Sequence, residues 1–129
     1  MVIKSESDVL PREVERAKRV YIQWLIDRTD GSKNLEMRKF TILPGGEIPL
    51  HKHPDIEHVQ YVLKGRYTMR LGDEEVEVRQ GYVTFIPPET VHGYWNRTDE
   101  AAEFLCIIPK VERYETIWID KRIEEKRYC

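Results

Sequence analysis

Apolar and polar residues alternate along this chain in short runs with a period of two. In "VYIQWLI" (20–26), Val20, Ile22, Trp24 and Ile26 fall on one face of an extended segment. "LEMRKFTIL" (35–43), "VQYVL" (59–63), "RYTMRL" (66–71), "VEV" (76–78), "YVTFI" (82–86), "VHGYW" (91–95) and "EFLCII" (103–108) read as further strands. The segments between them are turn-forming: "TDGSKN" (29–34), "PGGE" (44–47), "KG" (64–65), "GDEE" (72–75), "QG" (80–81), "PPET" (87–90) and the polar "NRTDEA" (96–101). A further short strand after "PGGE" carries two histidines. Strands with turns at this spacing predict an all-β, antiparallel sandwich or barrel. Pro11 with "REVERAKR" (12–19), and "IDKRIEEKRY" (119–128), predict short solvated terminal helices or frayed ends. No repeat, low-complexity tract or linker suggests a boundary, so one domain is expected over residues 1–129.

Composition narrows the partners. The 21 basic and 23 acidic residues are mixed along the chain and give a net charge of −2, with no basic stripe for nucleic acid or for an anionic membrane surface. No apolar run approaches the roughly 20 residues of a membrane helix, and "MVIKSESDVL" lacks the apolar centre of a signal peptide. Cys106 lies in an apolar strand and Cys129 is the last residue, so a disulfide is not expected and a reducing cytoplasm is the predicted setting.

The four histidines change the picture. His51 and His53 stand at i and i+2, so on a strand they project from one face. His58 follows Glu57, and either could point at what the first pair holds. His92 lies in a later strand after the proline-rich turn. A lone histidine is usually a satisfied core or surface residue, but all four fall where one site could use them. Imidazole nitrogen suits manganese, iron, nickel, copper and zinc.

Residues 45–65, "GGEIPLHKHPDIEHVQYVLKG", resemble the first cupin motif, and residues 81–96, "GYVTFIPPETVHGYWN", resemble the second, with Gly81, Pro87, His92 and Asn96 at the family's spacing. Glu89 replaces the usual glycine two positions after the proline. The resemblance covers about residues 35 to 109 and implies a jelly-roll barrel with one divalent metal inside it. Six residues separate His58 from Gly65, the spacing of the family's third ligand, so the resemblance favours His58 over Glu57. A one-residue slip would reverse every side chain on that strand. With His58 inward, Gln60 and Val62 face the cavity, and Val59, Tyr61 and Leu63 face away. The implied ligands are His51, His53, His58 and His92, as in the four-histidine subset of small cupins, with manganese the foremost occupant.

Four neutral imidazoles leave the ion its full charge, which favours an anionic oxygen donor such as a small carboxylic acid or an enolate. Gln60, Tyr94, Phe104 and Cys106 are the candidate substrate contacts, with packing the competing role for Tyr94, Cys106 and above all Phe104. Asn96 is expected to cap its turn. Trp24, Trp95 and Trp118 are expected in the core or at a dimer interface. The expected activity is a metal-dependent oxidoreductase using dioxygen or a peroxide. An isomerase or decarboxylase, or a non-catalytic sensing module, is the alternative. A homodimer is expected, because the 20–26 strand would otherwise leave an apolar sheet edge bare.

Overall fold

The computed structural model describes residues 1–112, 114–119 and 125–126. Among the described residues eleven strands are found: β1 Arg12–Glu13, β2 Lys18–Ile26, β3 Leu35–Lys52, β4 His58–Lys64, β5 Arg66–Leu71, β6 Glu74–Arg79, β7 Val83–Ile86, β8 His92–Trp95, β9 Ala102–Pro109, β10 Thr116–Trp118 and β11 Glu125–Lys126. They form one antiparallel sheet, with the path β6-β5-β8-β3-β9-β4-β7, curled into the jelly-roll barrel that the alternation predicts. Among the described residues no helix is long and apolar enough to cross a membrane.

The curl is made by β3. Its first half pairs with β2 and β9, and its second half with β8 and β10, so one strand belongs to both walls. The expected turn at "PGGE" is a corner within this strand. Gly45 takes φ 78°, and a Cβ on Gly46 would lie 2.7 Å from the Arg19 carbonyl oxygen. Two backbone bonds of 2.9 Å, Gly45 N–H to Asn96 O and Asn96 N–H to Gly46 O, fasten the corner to the end of β8. Glycines there let the backbone turn and approach its neighbour without a side chain in the way.

The N-terminal helix is not formed. Arg12 and Glu13 pair instead with Ile22 and Tyr21 of β2, and Val14 is buried. Cross-strand pairing and burial of one valine outweigh the helical composition of a charged segment that has no apolar stripe. Of the C-terminal helix expected over 119–128, Glu125 and Lys126 lie in β11, paired with β10; residues 120–124 and 127–129, Cys129 included, lie outside the described residues.

β1 also changes the reason given for a dimer. It pairs with β2, while Val20 and Ile22 turn into the core, so β2 is not a bare apolar edge. Exposed apolar side chains occur instead on the outer face of β4 and β7, where Val59 pairs with Phe85 and Tyr61 with Val83.

Inside the barrel, Phe40, Val62, Tyr67, Met69, Tyr94 and Phe104 are buried together. Phe104 stacks on Phe40 at 5.0 Å and on Tyr94 at 5.1 Å between ring centres. Register places the neighbouring inward rows side by side. Gln60, Cys106, Arg38 and Trp24 form one row across β4, β9, β3 and β2, and Trp118, His51 and His92 form another across β10, β3 and β8.

Candidate metal centre

Alternation on β4 settles the Glu57 and His58 question of direction. His58, Gln60 and Val62 are buried, whereas Glu57, Val59 and Tyr61 are exposed. His51 ends the inward run of β3, His53 lies just beyond it, and His92 opens β8 opposite His51. All four histidines are at most 2% exposed.

Three of them converge. One ring nitrogen from each of His51, His53 and His92 lies within 4.8 Å of the others, a spacing that suits a single ion. The ring of His58 lies 5.0 Å from that of His53 and 5.5 Å from that of His92. Each of the three converging imidazoles has its Nδ1 against a backbone carbonyl: His51 against Pro49 O at 2.8 Å, His53 against Glu115 O at 2.9 Å, and His92 against Thr90 O at 2.8 Å. A carbonyl can only accept, so each Nδ1 carries the proton and each Nε2 carries the lone pair. Anchoring one nitrogen in this way is how metal-binding histidines are oriented.

Burial keeps the rings of His51 and His92 neutral. It holds His51 well below the usual imidazole range, helped by the neighbouring charges of His92 and His53 and opposed by the bond to Pro49. Burial likewise brings His92 down to about 3, with His53 and Arg38 adding to the effect and the Thr90 carbonyl opposing it. Neutral imidazole is the form that binds a metal ion. His92 Nε2 is buried with no hydrogen-bond partner, as a group kept for a ligand would be. The donor set therefore fits a borderline divalent metal.

Behind the imidazoles lies the row that contains Gln60 and Cys106, two of the expected substrate contacts, and a third, Tyr94, is bonded to it from β8. Gln60 Nε2 donates to the Tyr94 hydroxyl at 2.8 Å and lies 3.5 Å from Cys106 Sγ. The Tyr94 ring meets that of His92 edge-on at 5.8 Å. Phe104 is one row deeper, stacked between Phe40 and Tyr94, and its surroundings are those of a packing residue. Asn96 caps its turn as expected: its side-chain oxygen accepts from Thr98 N–H at 3.0 Å and its amide donates to Ile42 O at 2.8 Å.

Two residues near the site were not anticipated as parts of it. Trp118 is fully buried with its ring 5.0 Å from that of His51. Arg38 is 1% exposed, stacked on Trp24 and Phe40, with Nη2 3.0 Å from Cys106 Sγ. A separate cavity of about 460 Å³ opens against Trp24, Glu36 and Tyr114 and is not lined by the histidines.

Glu89, which stands at the glycine position of the second motif, takes φ 66°. This left-handed conformation costs a residue with a Cβ about 1 kcal/mol. Two contacts offset it: the Glu89 N–H donates to His53 O at 2.9 Å, and the carboxylate pairs with Lys52 at 2.9 Å. The turn of the second motif is thereby bonded to the ligand segment of the first.

Comparison with known proteins agrees with this architecture. An uncharacterized protein of Methanocaldococcus jannaschii is 28% identical over 105 residues, covering 81% of this chain and 84% of that protein. The polyketide cyclase RemF of Streptomyces resistomycificus superposes with a TM-score of 0.84 at 28% identity, over 94% of this chain and 88% of its own. A predicted oxalate decarboxylase of Thermotoga maritima shares the fold, with a TM-score of 0.75 at 23% identity over 86% of this chain and all of its own. The cupin domain model matches residues 38–108, which span both histidine motifs, and the chain belongs to the cupin family.

Proposed function

We propose that this cupin is a metal-dependent enzyme acting on a small oxygenated acid or enolate, with His51, His53, His58 and His92 holding one divalent ion, manganese foremost. The observation that carries this reading is the set of three buried imidazoles, each fixed through Nδ1 to a backbone carbonyl so that the other nitrogens converge. His58 enters as the fourth ligand because it is buried beside His53 and His92 while Glu57 is exposed. An ion held by four neutral ligands keeps its dipositive charge and acts as a Lewis acid toward an oxygen donor.

The chain's own groups do the rest. The buried walls exclude water, which strengthens every charge interaction inside. Gln60 fixes the Tyr94 hydroxyl in the row behind His92, where the phenol is placed to move a proton to or from a bound enolate. Cys106 lines the same row. The first reading is oxidative, with dioxygen or a peroxide as co-substrate. A second, proton-transfer reading is favoured by the likeness to a polyketide cyclase and by the Tyr94–Gln60 pair. The same proposal includes a cytoplasmic homodimer seated on the exposed β4 and β7 face in place of β2.

Elemental analysis of protein purified without chelator or nickel resin tests the centre: about one transition-metal ion per chain is expected, and protein that neither retains nor takes up metal overturns it. Oxygen uptake by the loaded protein with carboxylic acids and diketones then separates the readings. Turnover with uptake supports the oxidative one, and turnover without uptake supports proton transfer. Saturable binding with no turnover makes the protein a binding module.

A further inference from the structure

We propose that the cavity against Trp24 is a second binding site, separate from the histidines, and that it takes a free amino acid with an apolar side chain. The ammonium group sits on Glu36, the carboxylate at Arg12 and Arg28, and the side chain against Trp24 and Tyr114.

The cavity is held open by parts of the chain that are each fixed by their own bonds. β2 supplies Trp24, and the start of β3 supplies Glu36. Tyr114 closes over both, with its ring 6.0 Å from that of Trp24 and its hydroxyl donating to Glu36 Oε1. The N-terminal segment adds Leu10 and Arg12. Gln23 Nε2 ties that segment down by donating to Glu6 O and to Val9 O, at 3.0 Å each, and Arg12 pairs with Ile22. Arg28 stands in the 3-10 turn Arg28–Asp30 that follows β2. About 460 Å³ is left between these walls. Packed interiors keep few voids larger than a water molecule, and this volume is that of a small-molecule site.

Charge is separated across the lining. Glu36 is 6% exposed, and a single phenol is its hydrogen-bond donor. A carboxylate offers about four acceptor positions, and its removal from water is costly unless they are filled. Asp27, the other acid of the lining, is already engaged: its Oδ1 accepts from Thr29 N–H at 2.9 Å and from the Thr29 hydroxyl at 2.6 Å. Arg12 and Arg28 are exposed and make no ion pair among the described residues. A guest that is only cationic meets these guanidiniums, and one that is only anionic meets the buried carboxylate. A zwitterion satisfies both. The Trp24 and Tyr114 rings meet at 44°, and Leu10 is 77% exposed beside the same space, so an apolar side chain seated there is covered by three hydrophobic groups.

The test is an NMR titration of the purified protein with phenylalanine, with phenethylamine, which lacks the carboxylate, and with 3-phenylpropionate, which lacks the ammonium group. Phenylalanine is expected to saturate one site with a dissociation constant below about 10 mM, equally before and after treatment with a chelator. Each analogue should bind about fivefold more weakly. Glu36→Gln keeps the shape and the acceptor for Tyr114 but removes the charge. It should weaken phenylalanine and phenethylamine roughly 10- to 100-fold and leave phenylpropionate within about threefold. The doubly substituted Arg12→Gln, Arg28→Gln protein should lose about fivefold for phenylalanine and phenylpropionate and nothing for phenethylamine. No saturable binding of phenylalanine, or equal affinity in wild type and Glu36→Gln, overturns the site. Binding that disappears with the chelator places the amino acid on the histidines and overturns it as well. If Glu36→Gln does not fold by circular dichroism, the arginine variant decides, and unchanged phenylalanine affinity there overturns the proposal.

Discussion

The barrel interior carries two neighbouring layers built on the same inward alternation. One is aromatic, with Phe40, Phe104, Tyr67 and Tyr94 packed ring on ring. The other is an imidazole layer, with His51, His53, His58 and His92 facing one another across β3, β4 and β8. Both are excluded from water, but burial means different things in the two. Removing an aromatic ring from water is favourable in itself. Removing an imidazole costs free energy that is recovered only through its hydrogen bonds and, in our reading, through an ion. The first layer stabilises the fold without assistance, whereas in the second His51 and His92 are held neutral by burial and, in our reading, gain from a ligand.

The comparison can be broken most forcefully at Phe104. Phe104→Ala should destabilise the protein by about 3–5 kcal/mol in chemical denaturation, with or without metal, because it opens a cavity among three other rings. The variant should still bind metal at the wild-type stoichiometry. A cost below about 1 kcal/mol would show that the aromatic layer does not carry the fold.

A somewhat smaller effect sharpens the other side. A metal at 100 times its dissociation constant should stabilise the wild type by about 2.7 kcal/mol. That increment should disappear in His92→Ala and persist in Phe104→Ala, as followed by melting with and without metal. An increment that survives in His92→Ala would remove His92 from the ligand set.

The smallest of the three effects is the pH response of the metal-free protein. His92 is held down to about 3 in the folded state, against 6.5 for an ordinary histidine. Below pH 6.5 the unfolded chain therefore takes up a proton that the folded chain refuses. Stability is complete above that pH and declines as the pH falls toward 3. By pH 5 the loss from His92 alone is about 2 kcal/mol, a range in which most carboxylates have yet to titrate. A melting temperature unchanged between pH 7 and pH 5 would mean that the imidazoles are not buried as neutral rings.

Much of this architecture is legible in the sequence, because alternation on a half-buried strand reports directly on direction. The parity of "HVQYVL" places His58, Gln60 and Val62 inside and exposes Val59 and Tyr61, as found. The parts that were not legible share a physical cause: local pattern carries no information about long-range pairing. "REVERAKR" has the charge of a solvated helix, yet its first two residues pair across to β2. "PGGE" has turn composition, yet the strand passes through it from one wall to the other. In "LEMRKFTIL" both faces carry charge, Glu36 and Arg38 on one and Lys39 on the other, so nothing local marks that all three are buried, Arg38 most deeply. Register then shows it, by setting Arg38 against Cys106. Trp118 lies in a strand of only three residues, too short for its alternation to register, and only pairing with His51 brings it to the site.

The three anchored imidazoles are oriented by the carbonyls of Pro49, Thr90 and Glu115. A carbonyl is common to all twenty amino acids. The side chains at those three positions can therefore drift in evolution without disturbing the bonds that aim the histidines, provided the path of the chain is kept. The aim of the imidazoles is inherited with the backbone, whereas the row behind them, with Gln60, Tyr94 and Cys106, is written entirely in side chains. In the reading proposed above, a lineage of such barrels exchanges substrates one residue at a time in that row while the histidine geometry passes unchanged from ancestor to descendant.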